Sequence, residues 1–378
     1  MLRNSYGSFD RAGAPISELA KVDHLMLMAQ DTANGYKQDI VPQLRAANPR
    51  QKLYLYQNVE RTAPWNRGLE QSGVMDYAEM LARPEWLLVD MDGNRLTTDG
   101  QDDVFQIDMG EPSFTQPCID AMLARLKAWG VDGVCIDGVH PTLERVPRDD
   151  SFPLGRYADR TDWQNAFLPF FSTLTRRLRA EGFRVIGNCA GCVYPMDYKV
   201  NDYAFDWNIT RRMVDATAYE SFALSWDGSL LPPDIVNRRI QAVYSDPMEV
   251  WLADTAPVAL QDVDRLAELT AAMALIASNG ERSCRVPTVD YNFAQHAVTR
   301  MQMGVPLAPP LQEAPWLGGA RWRRRFSTGL ALLNYESTYW NVRADGTYYS
   351  WRGDRYTAAR LVVVPPFSGA VLSTKVPL

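Results

Sequence analysis

The chain has 378 residues, of which 46% are hydrophobic and 22% charged. That is enough for one barrel of about 250 residues plus a further module, with an ordinary buried core. A net charge of −6 argues against a nucleic-acid partner, whose binding draws mainly on Lys and Arg neutralising phosphates.

Five cysteines, Cys118, Cys135, Cys189, Cys192 and Cys284, form no dense disulfide framework and read as buried free thiols. No run of 18 or more apolar residues predicts a membrane span, and no signal peptide is visible. The compartment expected is extracellular or periplasmic if a leader has been removed, and the cytoplasm otherwise. The 11 Trp and 17 Tyr of an acidic chain suit a sugar substrate. Flat rings cover the apolar faces of sugars while carboxylates and amides meet their hydroxyls.

Taken in chain order, short apolar runs alternate with amphipathic stretches, the pattern of βα units and a mainly parallel sheet. The first strand is predicted over Val22–Gln30, with little ahead of it. Tyr36, Ile40, Val41 and Leu44 then recur at helical spacing. Lys52–Val59 reads as the second strand. Trp86–Leu96 reads as an excursion that turns at Asp92-Gly93, and Val104–Met109 as the third strand. Ser113 is placed to cap a helix reaching Trp129, Gly130 ends it, and Val131–Ile136 enters the fourth strand. A helix over Thr161–Glu181, closed by Gly182, leads to a fifth strand at Phe183–Asn188. The sixth and seventh strands fall at Ala216–Phe222 and Glu249–Ala253. After a helix over Asp262–Ser278, the eighth is expected around Glu281–Val286.

Beyond the Pro-rich stretch Pro306–Pro315 the texture changes to short antiparallel strands at Leu330–Asn334, Gly346–Trp351, Leu361–Val364 and Ala370–Ser373. The expected fold is therefore α/β: a (β/α)8 TIM barrel over residues 1–317 with a small antiparallel, β-sandwich-like domain over 318–378. The basic run Arg321, Arg323, Arg324 and Arg325 reads as a solvated face or interdomain contact rather than a nucleic-acid patch.

In such barrels the active site lies at the C-terminal ends of the strands. Asp31 follows the first predicted strand, Asn58 and Glu60 the second, Asp108 and Glu111 the third, and Asp137 and His140 the fourth. Asn188 closes the fifth, Glu220 the sixth and Asp254 the seventh. Crowding like charges on one rim costs free energy, so a barrel built for stability alone has no reason to do it. Glycoside cleavage supplies a reason, because it needs two carboxyl groups flanking the scissile bond. Asp137 emerges after an apolar, β-branched run bracketed by glycines that permit tight turns; the bland alternative is a turn aspartate. Glu220, beside Tyr219 and Phe222, has the apolar setting of a general acid, against an exposed strand-edge glutamate. Asp132, at the opposite end of its strand, reads as structural.

The stretch Gly130–Val139 resembles the G-x-D-G-hydrophobic-x-x-D segment of barrel glycosidases of the endo-α-1,4-polygalactosaminidase type. The early Tyr56-Gln57-Asn58 strand, the Trp86 strand with its Asp92-Gly93 turn, the Asp-rich strand after it and the trailing β domain resemble glycoside-hydrolase-like family fifteen. The resemblance implies that Asp137 is the nucleophile and Glu220 the acid/base, with Asp202, Asp206 and Asp215 lying near the second position. Asp108 is placed to hydrogen-bond a sugar hydroxyl or tune Asp137, Asn58 and Asn188 to bind hydroxyls, His140 to bind substrate, and Asp254 to line far subsites. Tyr56, Trp65, Trp207 and Trp226 are stacking candidates.

The expected activity is hydrolysis, with retention, of O-glycosidic bonds in a poly- or oligosaccharide. No metal or other cofactor is expected, since His24, His140 and His296 are too scattered to form a cluster. The absence of GxSxG, GxxxxGK[ST] and GxGxxG patterns weakens hydrolase-elbow, nucleotide and dinucleotide readings. The rival from another class is a barrel that binds glycans without cutting them.

Overall fold

The computed structural model describes residues 3–8, 15–28, 38–67, 73–98, 101–138, 153–188, 208–219, 222, 224, 229–254, 263–278, 283–287, 296–314 and 319–377. Its strands begin with β1 (Arg3–Ser8), β2 (His24–Leu27), β3 (Lys52–Asn58), β4 (Arg61–Thr62), β5 (Thr97–Thr98) and β6 (Gln101–Gln106). They continue with β7 (Gly133–Asp137), β8 (Arg184–Gly187), β9 (Ala216–Tyr219), β10 (Glu249–Asp254) and β11 (Ser283–Pro287). Helices are α1 (Ile16–Leu19), α2 (Ile40–Ala47), α3 (Tyr77–Leu81), α4 (Pro112–Trp129), α5 (Arg160–Ala180), α6 (Asn208–Arg211), α7 (Pro233–Ser245) and α8 (Val263–Ala277). By packing, the chain divides into two units, Ser8–Val193 with Ala204–Ala218, and Met1–Gly7, Tyr194–Tyr203 with Tyr219–Leu378.

In the first unit β9, β8, β7, β3 and β2 lie side by side and parallel. β3 is buried at six of its seven positions and β7 at all five, as strands covered on both faces must be. Helix α4 shows why the chain turns where it does. Glu111 caps it by accepting Ser113 N–H at 2.9 Å, with Pro112 in the first turn. Ser113 thus lies inside the helix rather than at its cap, and its hydroxyl instead accepts Trp86 Nε1–H at 3.0 Å. Gly130, at φ +66°, ends the helix in the left-handed region and releases the chain into β7.

Two strand assignments change. Residues Gln101–Gln106 form a strand, but it pairs antiparallel with β4 and β5 in a separate three-stranded sheet. The parallel sheet has no slot for it, because β3 pairs directly with β7. The segment Arg3–Ser8, ahead of the predicted first strand, runs parallel to β11. The two differences offset one another: β7 remains the fourth parallel strand along the chain.

In the second unit β1, β11 and β10 are parallel neighbours. The C-terminal segment adds β12 (Leu311–Glu313), β13 (Arg321–Phe326), β14 (Gly329–Asn334), β15 (Trp340–Arg343), β16 (Tyr348–Tyr349), β17 (Arg355–Tyr356), β18 (Leu361–Val364) and β19 (Ser368–Ser373). Six of these make one sheet, ordered β12-β13-β14-β19-β16-β17, and β15 pairs with β18. Antiparallel pairing alternates the faces of β13. Trp322, Arg324 and Phe326 are buried, while Arg321, Arg323 and Arg325 point outward to Glu336, Glu313 and Asp345. Arg324 donates to the carbonyls of Leu275 (3.0 Å), Ile276 (3.2 Å) and Ser278 at the end of α8, the end where a cation is favoured. Burial holds its pKa down to about 10, so it remains a cation at neutral pH. Among the described residues no helix is long and apolar enough to cross a membrane.

Candidate active site

The site grows out of the two-residue period of β3. Tyr56 and Asn58 project from one face and Gln57 from the other. Asn58 stands directly opposite Asp137 in the β3–β7 register. Asp137 ends β7, and its carboxylate is gripped from both sides. Oδ2 accepts the Tyr56 hydroxyl and Asn58 Nδ2–H (3.1 Å), and Oδ1 accepts Asn188 Nδ2–H (2.8 Å) from the end of β8. All four side chains are buried. An ionised carboxylate only accepts, so a cradle of donors fits it.

Asn58 is itself aimed. Its Oδ1 accepts the backbone N–H groups of Glu60 (3.0 Å) and Arg61 (3.1 Å), which leaves only Nδ2 to face Asp137. Past Asp137 the chain turns at Gly138, φ +72°. A Cβ there would lie 2.3 Å from Glu60 Cβ and 3.2 Å from Glu60 Oε2, so the buried Glu60 side chain sits against the backbone beside Asp137.

The outer face of β3 is braced by Arg125 of α4, which donates to Gln57 Oε1, to Gly73 O (2.7 Å) and to Val74 O (2.9 Å). Burial holds its pKa down to about 10, still a cation at neutral pH. The sequence reading passed over Arg125. Its signal was a lone arginine three residues from Met122 and four from Trp129, on the apolar face of the helix.

Tyr56, expected to stack, instead spends its hydroxyl on Asp137 and is buried. Asp108 lies in a different cluster. It accepts Tyr157 Oη–H (2.6 Å), Gly110 N–H (3.1 Å) and Arg156 Nη2–H (2.5 Å), and Arg156 also pairs with Glu111. Burial pushes the Asp108 carboxyl up, against the pull of Tyr157 and Arg156. These contacts tie Leu154–Tyr157 to the start of α4.

Asp132 is structural, accepting Leu53 N–H (2.9 Å), Arg45 (2.6 Å) and Lys52 (3.0 Å) at the opposite end of β7 from Asp137. Asp215 is bound in the same manner, to Val185 N–H (2.8 Å) and Arg179 (3.0 Å), at the entry to β9. Asp254 ends β10 in register with Pro287. Its side chain lies outside the described residues, as do Glu220, His140, Trp226, Trp207, Asp31, Asp202 and Asp206.

A cradled carboxylate at the C-terminal end of a parallel strand, in a β/α framework, is a glycosidase-like arrangement. Residues 45–330 match the family described as hypothetical glycosyl hydrolase family 15, and the chain belongs to that family. No curated protein sequence matches it. Among solved structures, it is similar to an Anoxybacillus α-amylase at TM-score 0.52 and 12% identity, over 100% of this chain and 99% of that one. A Flavobacterium johnsoniae GH31 dextranase gives 0.51 and 10%, over 98% of this chain and 51% of that one. A Lactobacillus brevis α-galactosidase gives 0.50 and 11%, over 98% and 55%. The chain spans about half the length of these last two, and at such identities the likeness is one of fold.

Proposed function

We propose that this protein hydrolyses O-glycosidic bonds of a poly- or oligosaccharide with retention, Asp137 acting as nucleophile. The observation that carries the reading is the grip on Asp137 from Tyr56, Asn58 and Asn188, side chains of two strands flanking its own. The carboxylate attacks the anomeric carbon as the bond to the leaving oxygen breaks, and a carboxylic acid gives that oxygen its proton. Water then opens the glycosyl ester, losing its proton to the same acid, now a base. Glu220, the residue immediately after β9, is assigned that second role.

The fold we propose with it is a (β/α)8 barrel over residues 1–317, with residues 318–378 as a C-terminal module. This reading is supported by the strand count, the β/α alternation and the whole-chain likeness to the Anoxybacillus α-amylase fold. Asn188 and Asn58 reach substrate hydroxyls only as secondary partners, their first being Asp137.

The test is a reducing-end assay of the purified chain on α- and β-linked gluco-, galacto- and galactosamino-polysaccharides, alongside Asp137→Asn. Cleavage by the wild type and its loss in the variant, with binding kept, supports the assignment. If the variant cuts as fast as the wild type, Asp137 is not the nucleophile. In a crystal structure a separation of about 5–5.5 Å between the Asp137 and Glu220 carboxyls fits retention, and about 6.5–9.5 Å fits inversion.

A further inference from the structure

We infer that Trp65 is a sugar-stacking platform that fixes one residue of the substrate chain beside the Asp137 cradle. The inference rests on the glycosidase reading and extends it, because it commits the site to a substrate with an apolar sugar face at that subsite.

Trp65 occupies the third position of a tight turn, Ala63-Pro64-Trp65-Asn66, just beyond β4. The turn is closed by Asn66 N–H on Ala63 O at 2.9 Å, and Arg67 Nε–H on Pro64 O at 3.1 Å holds its far side. Pro64 presets the backbone at the second position. Ala63 and Asn66 are buried at 2% and 3% exposure, whereas Trp65 is 38% exposed, the most of any tryptophan among the described residues. A turn anchored at both ends therefore carries a large apolar ring into solvent. Leaving such a ring uncovered forgoes burial free energy, and fixing its backbone in advance lowers the entropy lost on binding.

The location of the turn argues for a sugar as the occupant. Gly73 bridges in parallel to Asn58, the residue that donates to Asp137. A Cβ on Gly73 would lie 2.0 Å from Asn66 Nδ2, so Asn66 packs directly on that glycine. The exposed indole is thus one residue removed from a side chain that touches the backbone paired with Asn58. The turn is linked through Asn66 and Gly73 to the strand that carries the Asp137 cradle, and a pyranose presents an apolar face for a flat ring and hydroxyls for amides and a carboxylate. Tyr56 leaves this role open, since its ring is buried and its hydroxyl committed to Asp137.

The experiment uses the full chain carrying Asp137→Asn, alone and combined with Trp65→Ala or Trp65→Phe. Each is titrated with gluco-, galacto- and galactosamino-oligosaccharides of graded length by calorimetry, with far-ultraviolet circular dichroism as the folding control. Trp65→Ala is expected to weaken binding of the best oligosaccharide by about tenfold, the equivalent of uncovering one sugar face, with Trp65→Phe in between. In the otherwise intact enzyme KM rises by a similar factor, while kcat stays within about twofold. Unchanged affinity in a folded Trp65→Ala chain overturns the inference, and so does a fall in kcat with KM unmoved, which marks a structural residue. If the Asp137→Asn chain binds no oligosaccharide while the wild type cuts none, the glycosidase reading itself fails.

Discussion

Asn58 and Asp137 stand opposite each other in register, and the amide that joins them at 3.1 Å is aimed by the backbone N–H groups of Glu60 and Arg61, just past the end of its strand. Asn58→Ala removes a donor to Asp137 and strips an acceptor from two backbone N–H groups. The expected cost is about 1–3 kcal/mol of stability and roughly a 10–100-fold loss in kcat/KM. Asn58→Asp does more harm to activity than Asn58→Ala, because it sets a second acceptor where the cradle needs a donor. Steady-state kinetics with parallel urea denaturation separates the two effects; equal activities of the two variants would count against the cradle.

Gly138→Ala tests the turn that follows Asp137. The left-handed backbone alone costs a residue with a Cβ about 1–2 kcal/mol, and the new methyl drives into Glu60. Activity is expected to fall further than the loss of stability explains, since the displaced backbone carries Asp137. A variant as active as the wild type, with only its melting temperature lowered, would place the turn outside the site.

Arg125→Met removes a buried cation and leaves three oxygens, on Gln57, Gly73 and Val74, short of a donor. A loss of about 2–4 kcal/mol is expected. The shift in urea midpoint at constant slope measures it. Arg125→Lys recovers only part, because one ammonium cannot span the three acceptors in the guanidinium geometry.

Asp132 predicts the sign of one pH effect. Burial opposes its ionisation, but the Leu53 N–H, Arg45 and Lys52 outweigh it and hold the carboxyl below its ordinary value. A group depressed in the folded state stabilises fully above the ordinary carboxylate range and loses that contribution as pH falls through the folded value. Unfolding free energy followed from pH 7 to pH 3 should therefore drop more steeply for the wild type than for Asp132→Asn. Parallel curves would remove Asp132 from the account.

Much of the parallel framework was legible because its strands are short apolar runs between helices with readable stops. Gly133–Asp137, buried throughout and entered from Gly130, is the plainest case. Strand Arg3–Ser8, RNSYGS, escaped because it has no apolar run. Strand Gln101–Gln106 was recognised as a strand but assigned to the wrong sheet, since a β pattern of that length carries no mark of its partner. At the site, Asp137, Asn58 and Asn188 were legible as polar residues closing apolar strands. The hydroxyl bond of Tyr56 was not, because an aromatic among aromatics looks like packing or stacking until its neighbour across the sheet is known. Arg125 went unread for a similar reason: its acceptors are carbonyls of residues 73 and 74, distant in sequence and silent in side-chain type.

Holding one oxygen of Asp137 from β3 and the other from β8 also locks the plane of its carboxylate. The acid has no freedom to swivel toward whatever enters. A reaction partner must come to it along one line of approach, so changes of substrate would arise in the loops that steer that approach while the clamp itself stays as it is.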